Sequence, residues 1–119
     1  NLIHPKADVS EFVTLGKGTI IASGVVLTCN INIENHVVID RSTTIGHDSI
    51  LRNYCHIAPS VVLSGNCFIG ENVYLGTGAL IKEGISITNN TIIGMGAVVL
   101  KNIKEKGTYI GNPARKLDK

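Results

Sequence analysis

The chain carries an aliphatic residue at every sixth position from Ile3 to Val99, and no insertion or deletion interrupts the series. Two residues before each of these positions lies a second residue that is small or β-branched, such as Ala7, Val13 or Val25. Side chains alternate across a β-strand, so both members of a pair face one side and the residue between them faces the other. The pattern therefore predicts one short strand in every hexapeptide.

The other half of each hexapeptide predicts a corner. Three residues after the aliphatic position, the chain favours the two residue types that best tolerate positive φ, at Gly18, Gly24, Asn30, Asn66, Asn72, Gly78, Gly84, Asn90 and Gly96. A strand and a corner in every six residues is typical of a hexapeptide β-helix, in which three sides close a coil of roughly eighteen residues. We predict an all-β, three-sided prism of about five to six coils over residues 1–101, followed by a C-terminal extension over residues 102–119.

With this period, the outward-facing residues divide among three walls of the prism. One wall carries Ile20, Val38, His56, Tyr74 and Ile92. A second carries Val26, Thr44, Val62, Leu80 and Val98. The third is more polar and carries Thr14, Asn32, Ile50, Phe68 and Ser86. Two largely apolar outer walls predict burial against other subunits, and we expect a closed homotrimer.

Composition narrows the class of protein. A length of 119 residues corresponds to one domain, and a net charge of +2 indicates neither a nucleic acid nor an anionic membrane as partner. No apolar run approaches the ~20 residues of a membrane-spanning helix. The three cysteines are odd in number and lack a metal-binding spacing, which fits a reducing compartment. We therefore expect a cytoplasmic protein.

Four histidines raise the question of a metal site. The γ-class carbonic anhydrases bind zinc on a similar β-helix through three histidines, two of which are five residues apart. Here His36, His47 and His56 are spaced eleven and nine residues apart, and no cysteine lies where it would substitute. We expect no metal, and a zinc enzyme of this class stays an alternative. A non-catalytic scaffold is a second alternative; an ice-binding wall is not favoured, because Thr14, Thr44 and Thr108 form no ladder.

His47 is the first candidate for chemistry, because it lies at a corner within Gly46-His47-Asp48. An adjacent aspartate can hold the imidazole tautomer and raise its basicity, as a general base requires. A solvated corner histidine beside an incidental aspartate fits the same spacing, so both interpretations stay open. Gly65 lies one coil above, where its N–H can face a developing oxyanion or the residue can simply turn the chain. His56 can meet His47 only across a subunit interface.

Several segments together resemble a known family. The runs Ile45-Gly46-His47-Asp48, Cys55-His56-Ile57-Ala58-Pro59 and Leu63-Ser64-Gly65-Asn66 are similar to sugar acetyltransferases of the sialic acid O-acetyltransferase (NeuD) type and to bacterial UDP-4-amino-sugar N-acetyltransferases (PglD). The opening Leu2-Ile3-His4-Pro5 and the closing Gly111-Asn112-Pro113-Ala114-Arg115 match as well, so the resemblance spans the chain. It implies a left-handed β-helix, trimers with active sites at subunit interfaces, and direct transfer of acetyl from acetyl-CoA to an amine or hydroxyl of a sugar.

The resemblance also implies individual roles. His47 is the general base, Asp48 raises its basicity, and Gly65 offers an N–H to the oxyanion. His56 of a neighbouring subunit contacts acetyl-CoA, whose pantetheine arm meets the backbone at two corners, Gly76-Thr77 and Gly94-Met95. The cofactor's phosphates require cations, and those near that end are Lys82, Lys101, Arg115 and Lys116; a solvated basic tail explains the last two equally well.

Two departures from the family concern the acceptor. Family members usually carry an N-terminal nucleotide-sugar-binding α/β domain, which this sequence does not include, so we expect residues that choose the sugar to lie outside it. Many relatives have an Asn-Thr pair just before the active-site stretch, whereas this chain has Asp40-Arg41. The sequence therefore leaves the acceptor sugar open, and with it the choice between N- and O-acetylation.

Overall fold

The structure is a computed structural model that describes residues 1–117. Within these residues every regular element is a strand of two or three residues. The strands form three sheets that are the faces of a solenoid of about six turns. The fold is the predicted left-handed parallel β-helix. No helix among the described residues is long and apolar enough to span a membrane.

The chain visits the three faces in turn, so that most strands pair in parallel with strands one coil away. Sheet A contains β1 (Leu2–Ile3), β4 (Ile20–Ile21), β7 (Val38–Ile39), β10 (His56–Ile57), β13 (Tyr74–Leu75), β16 (Ile92–Ile93), β18 (Thr108–Ile110) and β19 (Arg115–Lys116). Sheet B contains β2 (Asp8–Val9), β5 (Val26–Leu27), β8 (Thr44–Ile45), β11 (Val62–Leu63), β14 (Leu80–Ile81) and β17 (Val98–Val99). Sheet C contains β3 (Val13–Leu15), β6 (Ile31–Ile33), β9 (Ile50–Leu51), β12 (Phe68–Ile69) and β15 (Ser86–Ile87).

The registers place the outward residues on the predicted walls. His56 lies between Val38 and Tyr74 on sheet A, and Val62 lies between Thr44 and Leu80 on sheet B. We call the turns between sheets the A/B, B/C and C/A corners. Three columns of corners therefore run along the prism, and residues eighteen apart are stacked neighbours in the same column.

The core is a stack of aliphatic side chains inside the prism. From Ile21 to Val99, every residue of the sixfold series is no more than 1% exposed. Burying such a side chain stabilises the fold by about 1.5–3 kcal/mol, and each one packs on its equivalents in the coils above and below. The first coil is stacked on one side only, so its members are less buried: Ile3 is 46% exposed, and Val9 and Leu15 are half-buried.

The corners confirm the prediction of positive φ and extend it. The corner residues predicted from Gly and Asn all have positive φ, and so do residues of other types at the same position, for example His36, Ser42 and Tyr54. The coil thus imposes this conformation on whatever residue occupies the position. His36 and Tyr54 offset part of the cost by stacking their rings at 5.4 Å on the C/A corner.

Residues beyond Lys101, predicted as an extension, add to the C-terminal end of the prism. Ile103 bridges to Ile87 of sheet C, and β18 pairs in parallel with β16 of sheet A. β19 then folds back antiparallel on β18 through a turn that contains a cis peptide bond between Asn112 and Pro113. Residues 118 and 119 of the predicted extension lie outside the described part of the chain.

Candidate active site

The B/C corner holds His47 and Asp48 in a fixed backbone. The Asp48 N–H donates to the Cys29 carbonyl in the coil below at 3.1 Å, and the His47 carbonyl accepts from the Asn66 N–H in the coil above at 2.6 Å. Gly46 precedes the pair, and a Cβ there would lie 2.5 Å from the Ser64 carbonyl carbon. Only glycine therefore lets the two coils approach this closely at the site.

His47 and Asp48 form a hydrogen-bonded pair. The His47 Nδ1 lies 2.8 Å from Asp48 Oδ2, and the side chains are 49% and 48% exposed. A carboxylate accepts from the protonated nitrogen, so this contact favours the Nδ1–H tautomer and leaves the Nε2 lone pair free. The hydrogen bond to Asp48 raises the pKa of His47 above its usual value, and the charges of Asp48 and Glu83 add to the effect.

The second oxygen of Asp48 also has a partner. The Asn30 amide Nδ2 donates to Asp48 Oδ1 from the equivalent corner one coil below. Hydrogen bonds from His47 and then from Asn30 hold the pKa of Asp48 below its usual value. The carboxylate is therefore anionic at neutral pH and is bonded on both sides.

Gly65 covers the imidazole from the coil above. Its φ of 136° is positive although it precedes the usual positive-φ residue of its corner, Asn66. A Cβ at Gly65 would lie 3.0 Å from His47 Nε2. The Gly65 carbonyl accepts from the Gly84 N–H at 3.0 Å, whereas within residues 1–117 no group accepts from the Gly65 N–H. The corner thus holds a free imidazole nitrogen against a glycine whose N–H is also free.

His56 lies elsewhere on the chain, at the outward position of β10 in sheet A. Its ring contacts Tyr74 edge-on, with the centroids 5.4 Å apart. Asp40 lies in the A/B corner beside it; the backbone N–H of Arg41 lowers the pKa of Asp40, as do Arg41's side chain and the charge of His56. The structure does not bring His47 and His56 together within one chain.

The two predicted pantetheine contacts are stacked on the A/B corner. The Gly96 N–H donates to the Thr77 carbonyl at 2.8 Å, and a Cβ at Gly76 would lie 2.7 Å from the Met95 backbone nitrogen. The Gly94 Cα is also tightly covered, because a Cβ there would lie 2.9 Å from an Ile110 methyl group. Met95 itself is 79% exposed. This corner therefore offers an open edge of closely stacked backbone.

Two of the four predicted phosphate ligands meet at the C-terminal end. Lys101 and Arg115 both line a cleft of 240 Å³, whose remaining walls are apolar residues and Asn102. Lys101 lies on the B/C corner three coils above His47, or about 14 Å at the spacing of stacked strands. Lys82 and Lys116 do not line this cleft, and Lys116 is instead paired with Glu105 at 2.9 Å.

Sequence reasoning found the histidine–aspartate pair but gave Asn30 no part in it. The sequence predicted only that Asn30 occupies a corner with positive φ. The available signal was the coil period, because Asn30 precedes Asp48 by eighteen residues and so occupies the same corner position one coil below. As for a metal, no three His, Cys, Asp or Glu side chains among residues 1–117 are grouped as ligands of one ion.

Comparison with known proteins identifies the repeat. Residues 66–101 match the family model described as bacterial transferase hexapeptide (six repeats). The acetyltransferase domain of PglB from Neisseria gonorrhoeae FA1090 superposes with a TM-score of 0.95 at 34% identity, over 98% of this chain and 57% of that one. The same domain has been solved in complex with acetyl coenzyme A.

Two further solved structures superpose on the chain equally well. A histidine-to-asparagine mutant of perosamine N-acetyltransferase from Caulobacter crescentus, in complex with CoA and GDP-perosamine, matches with a TM-score of 0.97 and 33% identity over 98% of this chain and 56% of that one. WeeI from Acinetobacter baumannii AYE superposes with a TM-score of 0.93 at 32% identity, over 97% of this chain and 57% of that one. The chain thus spans just over half the length of each of these relatives.

Proposed function

We propose that this chain transfers acetyl from acetyl-CoA to an amino or hydroxyl group of a nucleotide-linked sugar. Its repeat matches the hexapeptide model of bacterial transferases, and its structure is similar to those of sugar N-acetyltransferases. The relatives support both substrates, since one is solved with acetyl coenzyme A and another with CoA and GDP-perosamine. The observation that carries the proposal is the His47–Asp48 pair, whose free Nε2 lies against Gly65.

The chemistry is a direct transfer. The acceptor nitrogen or oxygen attacks the thioester carbonyl as His47 Nε2 removes its proton, and the Gly65 N–H donates to the oxyanion of the tetrahedral intermediate. The intermediate collapses, the C–S bond breaks, and the imidazolium returns the proton to the leaving sulfur, so that CoA departs as the thiol. General-base help of this kind contributes about 100- to 10,000-fold, and one oxyanion donor contributes about 3–4 kcal/mol.

The site requires two subunits. His47 and Gly65 lie on the B/C corner, whereas His56, Thr77 and Met95 lie on sheet A and the A/B corner. One chain therefore carries a catalytic half and a donor-binding half that face different directions. We propose a homotrimer in which the B/C corner of one subunit meets the donor-binding half of its neighbour, because a closed ring completes every site.

Exposed apolar residues on the outer walls support this assembly. Sheet A exposes Ile20, Tyr74 and Ile92 by 39–48%, and sheet B exposes Leu80 by 46%. Burial of such residues on two adjacent faces by partner subunits stabilises the assembly. Sheet C carries the more polar outer wall and is the face that the trimer leaves in water.

Acetyl-CoA fits between the two halves. The open backbone at Thr77 and Met95 suits the amide groups of pantetheine. Lys101 on the B/C corner and Arg115 of β19 supply the positive charge that its phosphates need. We place the protein in the cytoplasm, where a reducing environment keeps its three cysteines as the free thiols that the structure shows.

The test is release of CoA thiol from acetyl-CoA with a panel of nucleotide-linked amino sugars and sialic acids. His47→Asn should lower kcat by about 100- to 10,000-fold with the productive acceptor. His36→Asn is the matched control, because it removes another corner imidazole at a φ of 57° that Asn tolerates. If His47→Asn turned over as fast as His36→Asn, His47 would not be the base.

A further inference from the structure

Asn30 is joined to the proposed base through Asp48. It lies eighteen residues before Asp48 and therefore at the same corner position one coil below, with a φ of 53°. Its Nδ2 donates to Asp48 Oδ1, while Asp48 Oδ2 accepts from the Nδ1 of His47 at 2.8 Å. The carboxylate thus bridges two coils, because one oxygen accepts from Asn30 and the other accepts from His47.

This bridge restricts a side chain that is otherwise free to turn. Asp48 is 48% exposed, and an exposed carboxylate samples several rotamers in which its oxygens are bonded to water. Its backbone is held by the Cys29 carbonyl at 3.1 Å, but that bond does not fix the side-chain torsions. Once Asn30 holds Oδ1, the carboxylate plane is set and Oδ2 is aimed at His47.

We propose that Asn30 is a positioning residue for the acetyl transfer described above. By orienting Asp48, it keeps His47 in the Nδ1–H tautomer, so that the Nε2 lone pair faces Gly65 and is ready to accept a proton. The inference rests on the proposed function for its consequence in turnover. Its structural part, the control of one histidine tautomer by an asparagine one coil away, is measurable without any substrate.

The corner accounts for a hydrogen bond between side chains eighteen residues apart, but not for its link to a histidine. Asn72 occupies the equivalent corner position on the C/A corner, with a φ of 56°, and its Nδ2 donates to Asn90 Oδ1 at 3.0 Å. Both asparagines satisfy the same backbone and make the same interval-of-eighteen bond. Only Asn30 donates to a carboxylate that in turn holds an imidazole, and a charged acceptor makes the bond stronger.

The charges around His47 do not substitute for this restraint. Asp48 and Glu83 both raise its pKa, but Glu83 lies two coils above and acts through its charge alone. Cys29 lies one coil below and Lys101 three coils above in the same column. Among these groups only Asp48 bonds to the ring, so the tautomer depends on where Asp48 points.

The experiment compares Asn30→Gly with Asn72→Gly in the full chain. Glycine accepts positive φ, so each variant loses only a side-chain hydrogen bond and neither strains the corner. Nitrogen NMR of the His47 ring, recorded across pH without substrate, reports its tautomer and its pKa. We expect Asn30→Gly to move neutral His47 towards the Nε2–H form and to lower its pKa, whereas Asn72→Gly leaves both at their wild-type values.

Thiol release supplies the second readout. For Asn30→Gly, kcat should fall by about 10- to 100-fold because the base is misaligned, with KM for acetyl-CoA unchanged. An Asn30→Asp variant, which keeps the shape but lacks the donor, should lose kcat as well. The inference is overturned if His47 has the same tautomer and pKa in Asn30→Gly as in Asn72→Gly. If the tautomer shifts but the wild-type protein releases no thiol with any acceptor, the positioning role stands and the proposed function fails.

Discussion

Replacing Gly65 with alanine tests how closely the proposed oxyanion donor and the base are packed. At a φ of 136°, a side chain costs about 1–3 kcal/mol of backbone strain. The new Cβ would also lie 3.0 Å from His47 Nε2, so the ring must move by a few tenths of an ångström. Because Nδ1 is tied to Asp48 at 2.8 Å, the ring yields by disturbing that hydrogen bond.

We therefore expect Gly65→Ala to lower kcat strongly while it lowers the free energy of unfolding only moderately. Alanine keeps the backbone N–H, so the loss comes from the displaced Nε2 and from the methyl group beside it. Misplacing a catalytic group in this way costs about 100-fold in kcat. Gly84→Ala is the matched control, since Gly84 lies one coil above on the same corner, has a φ of 81°, and has nothing within 4 Å of the added Cβ. It carries a comparable backbone cost without obstructing the imidazole.

The assay pairs thiol release at saturating acetyl-CoA with thermal unfolding of both variants. We expect both to unfold at lower temperature than the wild type, and only Gly65→Ala to lose kcat, by about 100-fold. If the two variants lost kcat equally, backbone strain would explain the defect. The close contact of Gly65 with Nε2 would then have no part in turnover.

Three further predictions address charge, assembly and cofactor binding. Asp48→Asn removes the largest cause of the raised pKa of His47. The acid limb of kcat/KM, which follows that pKa, should therefore move down in pH while the plateau falls, and an unmoved limb would exclude the pair. Ile92→Glu on sheet A should dissociate the trimer in sedimentation equilibrium, whereas Ile50→Glu, at the outward position of sheet C, should leave it intact. Lys101→Ala should raise KM for acetyl-CoA by about tenfold, from the loss of a charged hydrogen bond to phosphate, with the acceptor KM unchanged; the opposite pattern would place Lys101 at the acceptor.

The fold could be predicted because one physical rule repeats along the chain. Each position of the sixfold series from Ile21 to Val99 is aliphatic and buried, so the register and the three outer walls follow from counting. The corner conformations of Ser42 and Tyr54 could not be predicted, because their residue types do not favour positive φ and only the stacked coils require it. The rung formed by β18 also escaped prediction, because residues 102–110 leave the sixfold series.

The candidate site was only partly visible in the sequence. Adjacency alone suggested that Asp48 bonds His47, and the structure shows that bond at 2.8 Å. The role of Gly65 came from resemblance, while its unusual φ of 136° and its contact with Nε2 required coordinates. Asn30 was missed because its link to Asp48 depends on side-chain direction, which the coil period does not specify.

Subunit complementation tests the central claim, a site shared between His47 of one subunit and His56 of the next. Subunits with His47→Asn and subunits with His56→Asn are co-expressed with different tags, and mixed trimers are purified through both tags. Every mixed trimer contains two subunits of one kind and one of the other, so one of its three interfaces combines two intact halves. The account predicts that the purified mixed trimers regain about a third of wild-type thiol release per subunit. Mixed trimers no more active than the two parent variants would contradict it.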